Sequence, residues 1–254
     1  MIEFIKKIAE EAGNIALAEM RKINPSDIKK KGNEKDLVTA VDLMVEKRIV
    51  SRIKERFPEH DIYGEESGKT LRGSEFCWVI DPIDGTVSYI HQTASFSVSI
   101  ALQKNGENIA GVVFAPKLGE LFWAEKGKGA FLNGDSIHVS GRERLAESLV
   151  ATGFACLRAG LKENNLKYLN KILPDICDIR RDGSAALDLA YVACGRYDAF
   201  WEMRLNLYDI AAGVLLVEEA GGCVTDMSGG NIFPEKGLLA SNGLIHEKLL
   251  SYFE

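Results

Sequence analysis

Ile2, Ile5, Ile8, Ala12, Ile15 and Ala16 recur three or four positions apart. That period places side chains on one face of an α-helix and predicts an amphipathic helix at the start of the chain. A second helix is predicted over about 41–57, where Val45, Ile49, Ile53 and Phe57 return every fourth position and Pro58 stops it. Between them, KKKGNEKD reads as a Lys-rich turn broken at Gly32 and Asn33. The pattern then shortens. HDIYGEESG reads as a short strand running into a loop, FCWVI as a buried strand, and SFSVSIALQ as an alternating one. IAGVVFAP, ELFWAEKG and GAFLNGDSIHVS read as further strands, with Asn133-Gly134 as a tight hairpin turn. The first half is thus read as two helices followed by an antiparallel sheet.

The second half changes character. LVATGF, ICDIRR, YDAFWEM, CVTD and LLASN read as strands. Between and after them, ENNLKYLNKIL (closed by Pro174), SAALDLAYVACG, YDIAAGVLLVEEAGG and GLIHEKLLSYF read as helices. Alternation of strand and helix is the mark of an α/β lobe. No repeat, low-complexity segment or Pro/Ser-rich linker interrupts the chain. We read residues 1–254 as one domain with two lobes, about 1–140 and 141–254.

Bulk composition narrows the classes. The chain has 254 residues, 46% hydrophobic and 27% charged, as in an ordinary globular protein. A net charge of −6 argues against nucleic acid as the main partner. No apolar run approaches the ~18 residues of a membrane span, and the N-terminus lacks the pattern of a secretory signal. Cys77, Cys156, Cys177, Cys194 and Cys223 form no C-x-x-C pair, which suggests reduced thiols and a cytoplasmic location. The four histidines are dispersed, so a metal ion here would be held by oxygen.

The chemistry concentrates in WVIDPIDGTVSYI, residues 78–90. Asp81 and Asp84 end an apolar strand, although aspartate is a poor strand residue and costly to bury unpaired. Pro82 and Gly85 fix the turn between and after them, and both carboxylates with the carbonyl of Ile83 can face one point. Such hard oxygen ligands select Mg²⁺, Mn²⁺ or Ca²⁺. An Asx-type turn leading to a helix N-cap explains D-G-T alone equally well. Glu65 and Glu66 in GEES, and Asp209 at the start of a predicted helix, are each readable as surface charge or an N-cap. Together they would bring carboxylates from three strand ends to one place, as in multi-metal centres that act on phosphorus. The D-x-x-D-G-T spacing does not fit the D-x-D-x-T of aspartyl-phosphate phosphatases. Neither a G-x-x-x-x-G-K-S/T nor a G-x-S-x-G motif is present.

DLVTAVD (36–42), GEES (64–67), DPIDGT (81–86), GSAALDLAYVACGRYDAFWEM (183–203) and YDIAAG (208–213) occur in this order. The chain thereby resembles the inositol monophosphatase family of Mg²⁺-dependent, lithium-sensitive phosphatases, nearly end to end. The resemblance implies a layered α-β-α-β-α sandwich, usually homodimeric. It implies an inositol-1(or 4)-monophosphatase-like hydrolase using two or three Mg²⁺ ions, or Mn²⁺. Glu65, Asp81 and the carbonyl of Ile83 would hold a first metal, and Asp81, Asp84 and Asp209 a second. Asp42 and Thr86, with Glu65, would carry the catalytic work on the attacking water. The N–H groups of Gly85 and Thr86 would hold phosphate, while Gly183, Ser184, Ala185, Glu202 and Asp209 match substrate-binding positions. Two departures concern the pocket lining: Tyr208 stands where the family usually has Trp, and Val87-Ser88-Tyr89 follows DPIDGT in place of Thr-Asn-Phe. Arg204, two residues after Glu202, is either half of an exposed surface pair or a grip for a second phosphate. The alternatives that remain open are fructose-1,6-bisphosphatase or dual activity, a phosphatase for histidinol phosphate or an adenosine bisphosphate, and a regulatory protein-binding member of the fold.

Overall fold

A computed structural model of the chain describes residues 1–22, 28–30 and 37–254, with side chains from residue 40 onward in the second and third stretches. Apart from the backbone of residues 29 and 30, the predicted Lys-rich turn lies outside the described residues, and so does Asp36 at the head of DLVTAVD. Five layers stack. Outermost are α1 (Ile2–Met20) and α2 (Ala40–Arg56), joined through a small antiparallel ribbon of β1 (Ile28–Lys30) and β2 (Leu37–Thr39). Next comes an eight-stranded sheet of β3 (Asp61–Gly64), β4 (Gly68–Thr70), β5 (Phe76–Asp84), β6 (Ser97–Lys104), β7 (Glu107–Ala115), β8 (Glu120–Glu125), β9 (Ala130–Leu132) and β10 (Asp135–Ile137). Its order is β10-β9-β8-β7-β6-β5-β3-β4, and the short α3 (Thr86–Ile90) leaves the end of β5.

The second half supplies the other three layers. A five-stranded sheet holds β11 (Leu149–Thr152), β12 (Asp178–Arg180), β13 (Ala199–Glu202), β14 (Cys223–Thr225) and β15 (Leu238–Ser241) in the order β12-β11-β13-β15-β14. The short α4 (Ala155–Arg158), α5 (Leu166–Ile172) and α8 (His246–Leu250) complete this half, with α5 and α8 on the sheet's outer face. Between the two sheets lie α6 (Ala185–Ala193) and α7 (Leu207–Glu219). The order helices, sheet, helices, sheet, helices is the predicted sandwich. Among the described residues no helix is long and apolar enough to cross a membrane.

Strand alternation explains the two main cores. Along β5, Trp78 and Ile80 join the core under α1 and α2, where Ile5, Ile8, Val45, Ile49 and Ile53 meet them. Val79 joins the opposite core, with Phe122, Phe200, Leu189 and Ile210. A strand buried on both faces needs the continuous apolar run seen in FCWVI. The central helices follow the same logic: α7 is buried at every position from Ile210 to Val217 because a sheet covers each side.

One expectation needs correction. The first sheet is mixed, because β3 pairs parallel with β5. The unforeseen strand β4 forms an edge hairpin with β3, so the chain reverses twice and re-enters on β3's other side running the same way. The Asn133-Gly134 hairpin between β9 and β10 is present, with both residues at positive φ as a tight two-residue turn requires.

A buried carboxylate anchors the connection into the second sheet. Asp198, fully buried, accepts the Leu149 N–H at 2.7 Å, the Ser140 hydroxyl and the Arg142 guanidinium at 3.3 Å. Asp198→Ala would leave a backbone donor and a hydroxyl without their acceptor. We expect it to lower unfolding free energy by about 2–4 kcal/mol in a urea titration. A midpoint equal to wild type would mean that water replaces the carboxylate at no cost.

Candidate metal centre and active site

The site begins where β5 loses its regular pairing. Asp81 still opposes Ser99 and Asp84 opposes Ser97, with a register shift between them. Pro82, inside the shift, has no N–H to donate, so the strand bulges there. The freed Ile83 N–H donates to Asp81 Oδ1 at 3.1 Å. Gly85 follows at φ 93°, a left-handed conformation that costs glycine little, and turns the chain into α3. The bulge and the turn direct Asp81 and Asp84, both buried, to the same side.

Asp84 is held from across the molecule. Its Oδ2 accepts the Ser184 hydroxyl and the Ala186 N–H, each at 2.7 Å. Ser184 is the N-cap of α6, so the positive end of that helix faces the carboxylate. Asp209 arrives on the first turn of α7. Asn206, not Asp209, is the N-cap; Asp209 is the third helical residue and completes a capping box by accepting the Asn206 N–H at 2.5 Å. Asp81, Asp84 and Asp209 each bring one oxygen to within 4.8 Å of the others.

Glu65 lies at the end of β3, and its N–H donates to the Ile80 carbonyl at 3.0 Å. It shares a side-chain hydrogen bond with Asp81. The loop carrying it is fixed by Glu46 of α2, whose carboxylate accepts the N–H groups of Glu66 and Ser67, both at 2.8 Å. A Cβ on Gly64 would stand 2.7 Å from that carboxylate, so only glycine allows the approach. Asp42 is fully buried in the first turn of α2, and its charge acts on Tyr89 of α3. The Thr86 hydroxyl donates to the Ile83 carbonyl at 3.3 Å.

Crowding shows in the proton affinities. Burial first, then the charges of Glu65, Asp84 and Asp209, lifts Asp81 well above the usual carboxylate range. Burial, then Asp84, does the same to Asp209. Asp84 rises to about 6, because burial outweighs the hydrogen bonds from Ser184 and Ala186 that favour its charge. Glu202 is pushed by burial to about 7. Four acidic side chains and a carbonyl, with no histidine or thiolate, make a donor set suited to a hard divalent cation. Such a cation would relieve the repulsion.

Two cavities adjoin the cluster. The smaller, about 100 Å³, is lined by Glu65, Asp81, Ile83, Asp84, Gly85, Thr86, Gly183 and Asp209, among others. The larger, about 380 Å³, shares Glu65, Asp84, Gly183 and Asp209 with it and adds Ala185, Glu202, Arg204 and Tyr208. Ser184 lies beneath these walls, fully buried, bonded to Asp84. Glu202 is buried, not half of an exposed pair, and accepts the Ala155 N–H at 2.8 Å, while Arg204 is exposed. Tyr208 is half-buried and packs edge-on against Tyr63. The sequence reading missed Glu46, although its place four residues after Asp42 puts both on one helix face. It also missed Arg158 and Arg181, which line both cavities. Arg181 lies two residues before the recognised GSAA stretch, whereas Arg158 on the four-residue α4 carries no local signal.

The model of the inositol monophosphatase family matches residues 1–254. The chain is 42% identical over 258 residues to the Nus factor SuhB of Pseudomonas aeruginosa, covering 99% of this chain and 94% of that protein. It is 40% identical to the fructose-1,6-bisphosphatase/inositol-1-monophosphatase of Thermotoga maritima, over 98% of this chain and 94% of the relative. Among solved structures, the extragenic suppressor protein SuhB of Bartonella henselae superposes with a TM-score of 0.92 at 39% identity, covering 99% of this chain and 97% of that one.

The raised carboxylates set a direction for stability against pH. Cation-free folded protein holds protons on Asp84 and Glu202 up to about 6 and about 7, where the unfolded chain has already released them. Their contribution is therefore full below the ordinary carboxylate range and is lost as pH rises through 6 and 7. In chelator, the denaturation midpoint should fall between roughly pH 5 and 7.5, and millimolar Mg²⁺ or Mn²⁺ should flatten that fall. A midpoint that rises over this interval without cation would contradict the crowded arrangement.

Proposed function

The chain belongs to the inositol monophosphatase family, and from that premise we propose that it is a Mg²⁺-dependent phosphomonoesterase that hydrolyses inositol monophosphate to inositol and phosphate. The observation that carries this reading is the convergence of Asp81, Asp84 and Asp209 oxygens within 4.8 Å beside a cavity large enough for a sugar phosphate. Glu65, Asp81, Asp84, Asp209 and the carbonyl of Ile83 would hold two or three Mg²⁺ ions, with Mn²⁺ able to substitute. Bound there, the cation supplies Lewis acidity toward water and the phosphoryl oxygens. We assign Thr86 and Asp42 to the attacking water: on turning from the Ile83 carbonyl, the Thr86 hydroxyl would accept its proton and pass its own to Asp42, since a hydroxyl alone is too weak a base. The N–H groups of Gly85 and Thr86 hold phosphoryl oxygens. Gly183, Ala185 and Glu202 shape the wall that meets the sugar, with Ser184 behind it, and Glu202 accepts from its hydroxyls with whichever lone pairs Ala155 leaves open. The same reading takes the protein as cytoplasmic, homodimeric and inhibited by lithium at the second cation position.

Two further readings have specific support. The Thermotoga maritima relative carries both fructose-1,6-bisphosphatase and inositol-1-monophosphatase in its name, and Arg204 stands on the large cavity. The Pseudomonas aeruginosa relative, equally similar, is named a Nus factor, which favours a regulatory, protein-binding role. Values of kcat/KM over a panel of phosphate monoesters with Mg²⁺ separate these readings. Turnover of inositol monophosphate supports the first, and inertness toward every ester would leave the regulatory one.

Asp84→Asn keeps the shape of the side chain and removes one charge that offsets the cation. We expect kcat to fall on the order of 10²-fold or more, and chelator to abolish wild-type turnover. Turnover that persists in either experiment would remove the metal assignment. Thr86→Ala and Asp42→Asn should each lower kcat with little change in KM, because water activation belongs to the transition state. The double variant should be little worse than either single one; losses that multiply would show that the two residues do not share a proton path.

A further inference from the structure

β6 is buried at every position from Ser97 to Gln103, yet it opens Ser-Val-Ser. Strand alternation puts both serines on one face, and pairing sets Ser97 opposite Asp84 and Ser99 opposite Asp81. The two hydroxyls therefore lie on the sheet face that carries the carboxylates. Burying a hydroxyl costs free energy unless it is hydrogen-bonded, and alanine would nearly fill the same space without that cost. Ser99 reaches the Tyr208 carbonyl at 3.5 Å. Ser97, fully buried, lies 3.1 Å from the Ser184 hydroxyl, and this is its one side-chain hydrogen bond among the described residues.

A count of protons fixes the direction of that contact. Ser184 Oγ has one proton and two lone pairs. The proton goes to Asp84 Oδ2, at 2.7 Å. One lone pair takes the Leu187 N–H at 3.3 Å. Only the second lone pair remains, so Ser97 donates and Ser184 accepts. The chain of bonds runs from Ser97 to Ser184 to Asp84, and each donor in such a chain strengthens the next. Ser184 has little room to leave it: a Cβ on Gly85 would stand 3.2 Å from Ser184 Cβ, so the turn after Asp84 packs directly on this residue. Ser184 and the Ala186 N–H share Asp84 Oδ2. These bonds set the rotation of the carboxylate, and with it the oxygen that Asp84 offers to the cluster with Asp81 and Asp209.

Resting on the cation-dependent reading above, we propose that Ser97 is a positioning residue for cation binding: through the Ser184 hydroxyl it fixes the Asp84 carboxylate in the orientation that a divalent cation requires. The measurement is the Mn²⁺ affinity of the cation-free protein at one fixed pH, read from the electron paramagnetic resonance of unbound Mn²⁺, with no substrate and no turnover. Ser97→Ala removes one oxygen from a strand interior and leaves every backbone bond in place, so the fold persists. Its Kd for Mn²⁺ should rise roughly three- to tenfold, the effect of losing one hydrogen bond behind a ligand's own partner. Ser184→Ala should cost more, roughly ten- to a hundredfold. On top of Ser184→Ala, the Ser97→Ala change should add less than about twofold, because its route to Asp84 is already cut. A role confined to stability would lower the urea midpoint of Ser97→Ala and leave its Kd at the wild-type value; that result overturns the proposal. Losses that multiply in the double variant also overturn it, since Ser97 would then act on the cluster without Ser184. Asp84→Asn keeps the two readings apart. If wild type binds Mn²⁺ no more tightly than Asp84→Asn, the cation reading fails and the positioning role falls with it. If wild type binds more tightly than Asp84→Asn and Ser97→Ala equals wild type, the positioning role alone fails.

Discussion

Four carboxylates drawn from three parts of the chain meet at the end of one buried strand, and their mutual repulsion is the constraint that the surrounding structure answers. Asp81 and Asp84 are buried where water cannot screen them, and Asp209 brings an oxygen within 4.8 Å of both. Left to themselves, such groups hold protons well above the usual carboxylate range. Anything that keeps them charged at neutral pH has to be positive and close. On Asp84 itself the fold places partial positive charge, through the first N–H groups of α6 and the Ser184 hydroxyl, with Arg158 and Arg181 on the cavity walls. A cation bound by oxygen would supply the remainder.

The sandwich makes this arrangement rigid. With helices on both sides, the two faces of β5 are packed, so the positions of Asp81 and Asp84 follow from the strand's own pleat and from the bulge at Pro82. The central helices α6 and α7 bring their first turns to the same end of the sheet, one capping Asp84 and the other carrying Asp209. Glu46 of α2 extends the same principle to the outer layer by fastening the loop that bears Glu65. For the proposed reaction rigid placement would matter, because electrostatic stabilisation of a phosphoryl group depends on charges that need no reorganisation as the reaction proceeds.

Much of this was legible in the sequence because local chemistry encodes it. The three- and four-residue spacing of Ile2, Ile5 and Ile8, and of Val45, Ile49 and Ile53, reports a buried helix face without reference to any partner. FCWVI reports a strand covered on both sides, and Pro82 and Gly85 report a chain that must bend beside its aspartates. The parallel pairing of β3 with β5 was not legible: it depends on the three-residue edge strand β4, whose Gly-Lys-Thr carries no alternation to detect. Nor was the Ser184–Asp84 hydrogen bond, which spans 100 residues. Arg158 and Arg181 escaped for a similar reason: an arginine on a short helix or just past a strand looks like surface charge until the fold sets it on a cavity. The DPIDGT, GEES and YDIAAG stretches were informative as an ordered set, since any one of them also reads as a turn or a cap.

The central claim, that a divalent cation occupies the space between these carboxylates, is tested most directly by anomalous diffraction from a crystal grown with Mn²⁺. The account predicts an anomalous peak bounded by Asp81, Asp84 and Asp209, with Glu65 and the Ile83 carbonyl facing it, and loss of that peak in a crystal of Asp84→Asn. Density at that point with no anomalous signal, or manganese bound elsewhere on the protein, would contradict it.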